Sequence, residues 1–428
     1  MGEEAFMKTV KKAQALLLGT CYDPEKWDSE VQKEDLRRMQ EAGIEMISPE
    51  KGENDSDGRM QSEPKPGQLM LSAMEQIGHG ADRVSLLRWR KARTGEEIYE
   101  PAILDRDNRD NRKLAELKKI RCRLEAIGEV AGTECYAAAA VLQDEENLKD
   151  MQSDRRHREL AEESERAIFA AAKRTHTPAA KVKLTVETGA ESLLRYPVLF
   201  FSHPMILTER NVAVLTEYVK RGGCLIVGAL AGLKDEAGQC VTAPGPGALR
   251  ELTGTEVREG TFVASNEKVY LDFDGQRIDT GVYNEILEVV AEDTRVLEEY
   301  AGSYYSGEPA LTEHKVGEGK VIHFGGTFTQ ALAESLLAYT GVRRPLGELI
   351  WLPGDCELCV REKEDAMWLF VLNHSNEERS ILLKVTGTDV DTGKAAEGES
   401  TLAAYETKVY KIAIVREYQS EQLLPWQE

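Results

Sequence analysis

The sequence predicts a multidomain α/β protein with a small antiparallel β domain after it, and three observations carry that expectation. The chain opens with a strand, turn, helix, strand run. Strands and helices then alternate between about residues 132 and 341. After Leu352 the pattern shifts to a period of two. Alternating strands and helices imply parallel pairing under a cover of helices, whereas a period of two marks strands with one wet face. The 428 residues leave room for about three domains at roughly 150 residues each. With 41% apolar and 30% charged residues, the composition is that of a folded globular chain.

Leu16, Leu17 and Leu18 give the first strand, and Asp23-Pro24 its turn. Ser29 and Gln32 form a capping box for a helix that carries Val31, Leu36, Met39 and Ala42 on one side. Gly43 ends that helix, and Ile44, Met46 and Ile47 begin a second strand. Residues 48–67 lack apolar periodicity and are rich in Pro, Gly, Ser and charge, which predicts an exposed loop. A helix pattern then covers Gln68 to Gly80, a strand Val84 to Trp89, and a further amphipathic helix Arg112 to Ile127.

In the second region, strands are predicted at Ala137–Leu142, Val198–Ser202, Cys224–Gly228 and Val321–Phe324. Helices are predicted at Glu159–Lys173, Glu209–Arg221 and Thr327–Tyr339. This reads as a mostly parallel sheet covered on both faces. The charged stretch from Asp144 to Arg166 reads as a solvated helix and its loops. In the third region, Met367–Leu372 and Ala404–Ile412 alternate in character, which predicts a small sandwich. The expected boundaries are residues 1–131, 132–349 and 350–416, with a polar tail over 417–428.

The net charge is −21, from 75 acidic and 54 basic residues, and so large an excess repels nucleic acid and anionic membranes. It favours a small neutral ligand or a protein partner. No apolar run reaches the ~18 residues of a membrane span, and Ala13–Leu18 reads as the first strand and not as a signal segment. Seven scattered cysteines suit reduced thiols and a cytoplasmic location.

Five stretches, in order, resemble glycoside hydrolase family 42, the β-galactosidase type. Leu18–Trp27, with the helix ending Met39-Gln40-Glu41-Ala42-Gly43, is similar to that family's first barrel unit. Pro64–Leu69 and His79–Asp82, followed by Leu87-Arg88-Trp89-Arg90 and Gly95–Asp105, resemble its last units. Tyr196–Pro204, Arg221–Gln239 and Pro244–Gly254 resemble its trimerisation domain, and the module beginning Trp351-Leu352-Pro353 its C-terminal domain. The resemblance therefore implies an incomplete (β/α)8-barrel remnant, a flavodoxin-like α/β trimerisation domain and a small C-terminal antiparallel β domain. A complete barrel needs ~250 residues, and only about 130 precede the α/β domain here.

The resemblance also implies retaining hydrolysis of terminal β-galactosides, chemistry that needs two carboxyl groups about 5–5.5 Å apart. Glu50 falls at the spacing of the family's nucleophile. The family's acid belongs to an Asn-Glu pair, and no Asn-Glu precedes Gly132; Asn266-Glu267, Asn284-Glu285 and Asn376-Glu377 occur later, outside the barrel segment. Glu97 matches a glutamate that contacts sugar hydroxyls, although Glu100 and Pro101 stand where the family has a histidine. Trp89 is either a stacking platform for a sugar or a core residue. His79, between two glycines, marks tight helix packing. Cys356-x-x-Cys359 is a lone pair, so neither a metal site nor a cofactor is expected. The implied function is an inactive or impaired β-galactosidase. The alternatives are a non-catalytic oligomerisation module, as a homotrimer or in mixed trimers with a full-length relative, and a truncated gene remnant. A segment stripped of its middle strands is expected to pack poorly over residues 1–130.

Overall fold

The computed structural model describes residues 15–48, 62–86, 88–363 and 365–414, which form two compact units. One unit joins the chain up to Tyr136 with Glu348–Arg416. The other spans Ala137–Gly347.

The first unit begins with β1 (Leu17–Cys21), α1 (Ser29–Glu41) and β2 (Met46–Ser48). α1 is capped one residue earlier than expected: the Asp28 carboxylate accepts a hydrogen bond from Val31 N–H at 3.0 Å. Asp is as good a cap as Ser, and its charge also meets the positive end of the helix dipole. Met39 and Ala42 are buried as expected, whereas Leu36 is exposed because the buried seam runs through Asp35 instead. α2 (Gln68–Gly78), β3 (Arg83–Leu86), α3 (Arg112–Ala126) and β4 (Glu134–Cys135) follow. β2 and β3 flank β1, both parallel to it, in the order β2-β1-β3. β3 stops three residues short of Trp89, whose backbone N–H bonds to Cys21 O at 2.8 Å from a loop.

The second unit contains β5 (Ala139–Asp144), α4 (Glu145–Ser153), α5 (Arg155–Arg174), β6 (Ala179–Leu184), α6 (Ala190–Leu193), β7 (Val198–Phe201), α7 (Glu209–Lys220) and β8 (Cys224–Val227). It continues with α8 (Arg250–Thr253), β9 (Thr255–Phe262), β10 (Tyr270–Phe273), β11 (Gln276–Asp279), β12 (Tyr283–Val289), β13 (Thr294–Glu299), β14 (Pro309–Val316), β15 (Gly319–Phe324) and α9 (Gln330–Tyr339). Its main sheet has the order β13-β14-β15-β8-β7-β5-β6. The run from β15 to β6 is parallel, while β14 and β13 add an antiparallel edge. Val198–Phe201 and Cys224–Val227 are buried along their whole length, as strands with helices on both faces must be. β9 pairs with β12 and β10 with β11 in antiparallel ribbons that the sequence pattern did not announce.

β16 (Ile350–Trp351), β17 (Cys356–Lys363), β18 (Ala366–Asn373), β19 (Arg379–Asp389), β20 (Lys394–Leu402) and β21 (Thr407–Ala413) return the chain to the first unit. They make one connected antiparallel sheet, β16-β19-β21-β18-β17-β4, with β20 on β19, where a two-sheet sandwich was expected. β4 supplies its far edge.

This sheet also overturns the expectation of poor packing for the described part of residues 1–130. α2 presents Leu69, Ala73, Met74 and Ile77, and the same core contains Leu18, Val84 and Trp89 together with Trp368, Phe370, Leu372 and Val409. The apolar helix face that a missing barrel would leave bare is covered by strands nearly 300 residues away in the chain. β2 and β3 carry no further strand among the described residues. Among those residues, no helix is long and apolar enough to cross a membrane.

Candidate functional site

Active sites of α/β barrels lie at the C-terminal ends of the parallel strands, which here are marked by Cys21, Ser48 and Leu86. Tyr22 N–H bonds to Ser48 O at 3.0 Å, drawing two of these ends together, and Trp89 N–H ties the third to β1. Below them lies Asp35 of α1, fully buried. Its carboxylate accepts bonds from Tyr22 Oη at 3.0 Å and Trp89 Nε1 at 3.3 Å, and it pairs closely with Arg90. The Arg90 guanidinium also lies over the Trp27 ring, 4.7 Å from its centre. A buried carboxylate must be paired in this way, because an unpaired charge is far too costly in an apolar interior.

Glu97 stands in the single helical turn Glu96–Tyr99, after Gly95. Its carboxylate faces Arg88 Nη1 at 3.2 Å and Lys26 Nζ at 3.6 Å. The Arg88 hydrogen bond, aided by the Lys26 charge, holds its pKa below the usual carboxylate value. Glu63 is likewise held down by Lys113 and Lys91, against the upward push of burial. An ionised, partly exposed carboxylate such as Glu97 can accept hydrogen bonds from sugar hydroxyls. It cannot serve as a general acid, which needs a raised pKa.

The other sequence-marked residues are placed as follows. Glu50 lies outside the described residues. Trp89 is fully enclosed, its indole N–H spent on Asp35, so it offers no face for a sugar to stack on. Glu100 follows the Glu97 turn, its N–H bonded to Glu97 O at 3.1 Å. His79 caps the C-terminal end of α2, on the side of the sheet where β3 begins, and so sits away from the strand ends that matter for barrel chemistry. Asn284 and Glu285 are both buried on β12 of the second unit, and Asn376-Glu377 fall in the connection between β18 and β19. Asp35 and Arg90, the centre of this constellation, were missed, since their pairing has no local signature.

A concave region lies in the second unit, at the C-terminal ends of β5 and β7. It is a cavity of about 570 Å³ lined by Asp144, Asn147, His157, Glu165, Lys181 and His203, among others. β5 leads to β6 on one side and the chain then returns to β7 on the other, so this is the switch point where open α/β sheets bind ligands. A serine and a histidine meet beneath it, with Ser164 Oγ 2.8 Å from His203 Nε2. The pair is structural. Ser164 is fully buried and also takes the Phe328 N–H at 3.0 Å, His203 Nδ1 is bonded to Ala229 O, and burial lowers the His203 pKa to about 4.

Three family models match the chain. "Beta-galactosidase trimerisation domain" covers residues 137–344, "Beta-galactosidase" 56–127, and "Beta-galactosidase C-terminal domain" 356–411. Among similar proteins, the β-galactosidase GalA of Bacillus licheniformis is 26% identical over 81% of this chain and 51% of its own length. The β-galactosidase BglY of Alicyclobacillus acidocaldarius is 28% identical over the same shares. In fold, the chain is similar to a catalytic mutant of Gan42B, a GH42 β-galactosidase from G. stearothermophilus. That match has a TM-score of 0.72 and 22% identity, over 82% of this chain and 51% of the other. The β-galactosidase of Bacillus circulans sp. alkalophilus gives a TM-score of 0.69 at 22% identity, over 81% and 52%. The chain thus spans about half the length of the relatives it matches.

Proposed function

Since this chain belongs to glycoside hydrolase family 42, the β-galactosidase family, we propose that it serves as an assembly-competent member whose own hydrolysis of terminal β-galactosides is impaired. The observation that carries this reading is the open three-stranded sheet β2-β1-β3. The carboxylates of Asp35, Glu63 and Glu97 around its strand ends are each committed to cations. A retaining glycosidase needs a second carboxyl kept protonated beside the nucleophile, and the ion pairs of Glu63 and Glu97 work in the opposite direction. In this reading Glu50 is the inherited nucleophile, Glu97 is a contact to sugar hydroxyls, and Trp89 supports the site from within the core.

The domain plan is then residues 1–131 for the barrel part, 132–349 for the trimerisation-type domain, 350–416 for the C-terminal β domain and 417–428 for the tail. The second unit, which the trimerisation model matches almost end to end, assembles the chain into a homotrimer or into mixed trimers with a full-length relative. Seven cysteines scattered along the chain suit a reducing, cytoplasmic setting.

Purified protein incubated with a chromogenic β-galactoside tests the first half. Turnover is expected at least ~10²-fold below that of a full-length relative, the typical worth of a general acid. Robust turnover that Glu50→Gln abolishes would overturn the impairment. Light scattering tests the second half, with a trimer mass expected; a clean monomer at micromolar concentration would refute assembly.

A further inference from the structure

We propose that the first unit carries a binding site for a zinc-class divalent cation, built from His79, Glu357 and Cys359. The donors come from two elements. His79 caps α2, which lies against β17, while Glu357 and Cys359 sit two residues apart on β17 and so project from the same face of the strand. His79 Nε2 lies 2.8 Å from Glu357 Oε1 and 3.4 Å from Cys359 Sγ. The three donor atoms fall within 4.8 Å of one another.

Tetrahedral zinc with bonds of about 2.0–2.3 Å separates a nitrogen from a sulfur ligand by about 3.6 Å, and a nitrogen from an oxygen by about 3.3 Å. The first distance is already met, and the second needs His79 and Glu357 to part by about half an ångström. On the other side of the Glu357 carboxylate, His374 Nε2 lies 2.8 Å from Oε2, at ion-pair distance. Glu75, one helical turn before His79, joins Glu357 and His374 in a second donor group with the same 4.8 Å limit.

The donor chemistry selects the ion. One thiolate and one imidazole favour zinc or its borderline-soft neighbours over magnesium and calcium, which seek oxygen. The His79 side chain is 47% exposed, so solvent reaches the cluster and can supply a fourth ligand as water. Binding requires the Cys359 thiol to lose its proton and His79 to be neutral, so uptake releases protons and strengthens as pH rises. Cys356 takes no part: three residues from Cys359 on a strand, it points to the opposite face, and burial raises its thiol pKa to about 12. The bound ion would cross-link α2 to β17, two elements nearly 280 residues apart.

The test uses the full chain, stripped with a chelator and titrated with Zn²⁺, Co²⁺ and Mg²⁺. One zinc per chain is expected, with an upward Tm shift, a thiolate-to-cobalt charge-transfer band, and no response to magnesium. Cys359→Ser should abolish the cobalt band, and His79→Gln should weaken zinc binding at least ~10-fold. Cys122→Ser and Cys240→Ser, at the exposed cysteines, should leave both readouts unchanged. His79→Gln alters a half-exposed side chain, so it keeps the test sound if Cys359→Ser misfolds. Absence of stoichiometric zinc uptake, or uptake indifferent to His79→Gln, would overturn the site. So would a cobalt band lost in Cys122→Ser or Cys240→Ser.

Discussion

Arg361 gathers several loops of the first unit around one guanidinium. Only 1% of it is exposed. It donates to Ile77 O at 2.7 Å, Val130 O at 3.2 Å, Thr133 O at 3.0 Å, Thr133 Oγ1 at 3.1 Å and Asp82 Oδ1 at 3.0 Å. Arg361→Met keeps the bulk but strands these acceptors, so urea unfolding should show a loss of about 3–5 kcal/mol; an unchanged midpoint would refute the role. Glu285 provides a pH test in the other unit. Burial raises its carboxyl from 4.5 to about 7, although Leu230 N–H and Tyr283 pull it down. Its folded pKa lies above the unfolded one, so the folded state holds a proton that the unfolded chain has released. The stabilisation is full below about pH 4.5 and disappears as pH rises to about 7, a swing on the order of 3 kcal/mol. Melting temperatures at pH 5 and pH 8 should therefore diverge more in the parent than in Glu285→Gln, and equal slopes would refute the assignment. At this scale the sequence was only partly readable. Glu97 was visible as a motif position, but its partner Lys26, the Asp35–Arg90 pair and the His79–Glu357–Cys359 cluster depend on contacts between distant segments. Cys356-x-x-Cys359 was set aside as a lone pair, and only its second cysteine belongs to that cluster.

At the scale of elements, α2 meets β17 and β18 through Gly78. A Cβ at that position would lie 2.7 Å from Cys359 Cβ and 3.4 Å from Phe370 Cβ, neither of which can rotate away. Gly78→Ala should thus lift the helix end from the sheet and cost about 1–3 kcal/mol, the usual range for overpacking. The gain in helix propensity, about 1 kcal/mol, acts against this, so a more stable variant in thermal melts would mean that the close approach is soft. The flanking glycines around His79 did announce this contact, and the long helices were legible from their 3.6-residue period. Boundaries moved where a neighbour decided them, as at Asp28, which caps α1 in place of Ser29. The ribbon strands of the second unit were invisible for a physical reason. β9 exposes Arg258, Glu259, Gly260 and Phe262 and buries chiefly Thr255, so it carries no apolar stripe for a period to reveal.

For the whole molecule, the second unit is an insertion into the first. Its chain enters beside Pro178, where Ala138 N–H bonds to Pro178 O at 2.9 Å, and leaves beside Thr175, where Arg344 N–H bonds to Thr175 O at 3.2 Å. Both ends therefore meet at one loop, the arrangement in which a unit can be cut out and still fold. The first unit cannot be divided in the same way, because its core draws Trp368, Phe370, Leu372 and Val409 from after the insertion. Each such side chain contributes about 1.5–3 kcal/mol when buried, and a domain has only about 5–15 kcal/mol in total. Residues 137–347 expressed alone should consequently melt cooperatively and keep whatever oligomeric state the full chain has, as sedimentation velocity will read. Residues 1–136 alone should lack near-ultraviolet circular dichroism and unfold without a transition. Joining 1–136 to 348–428 through a short glycine-rich linker should restore both. A cooperative melt from residues 1–136 by themselves would mean that the barrel part holds a core of its own. In that case the C-terminal sheet would cover α2 without being needed for its folding.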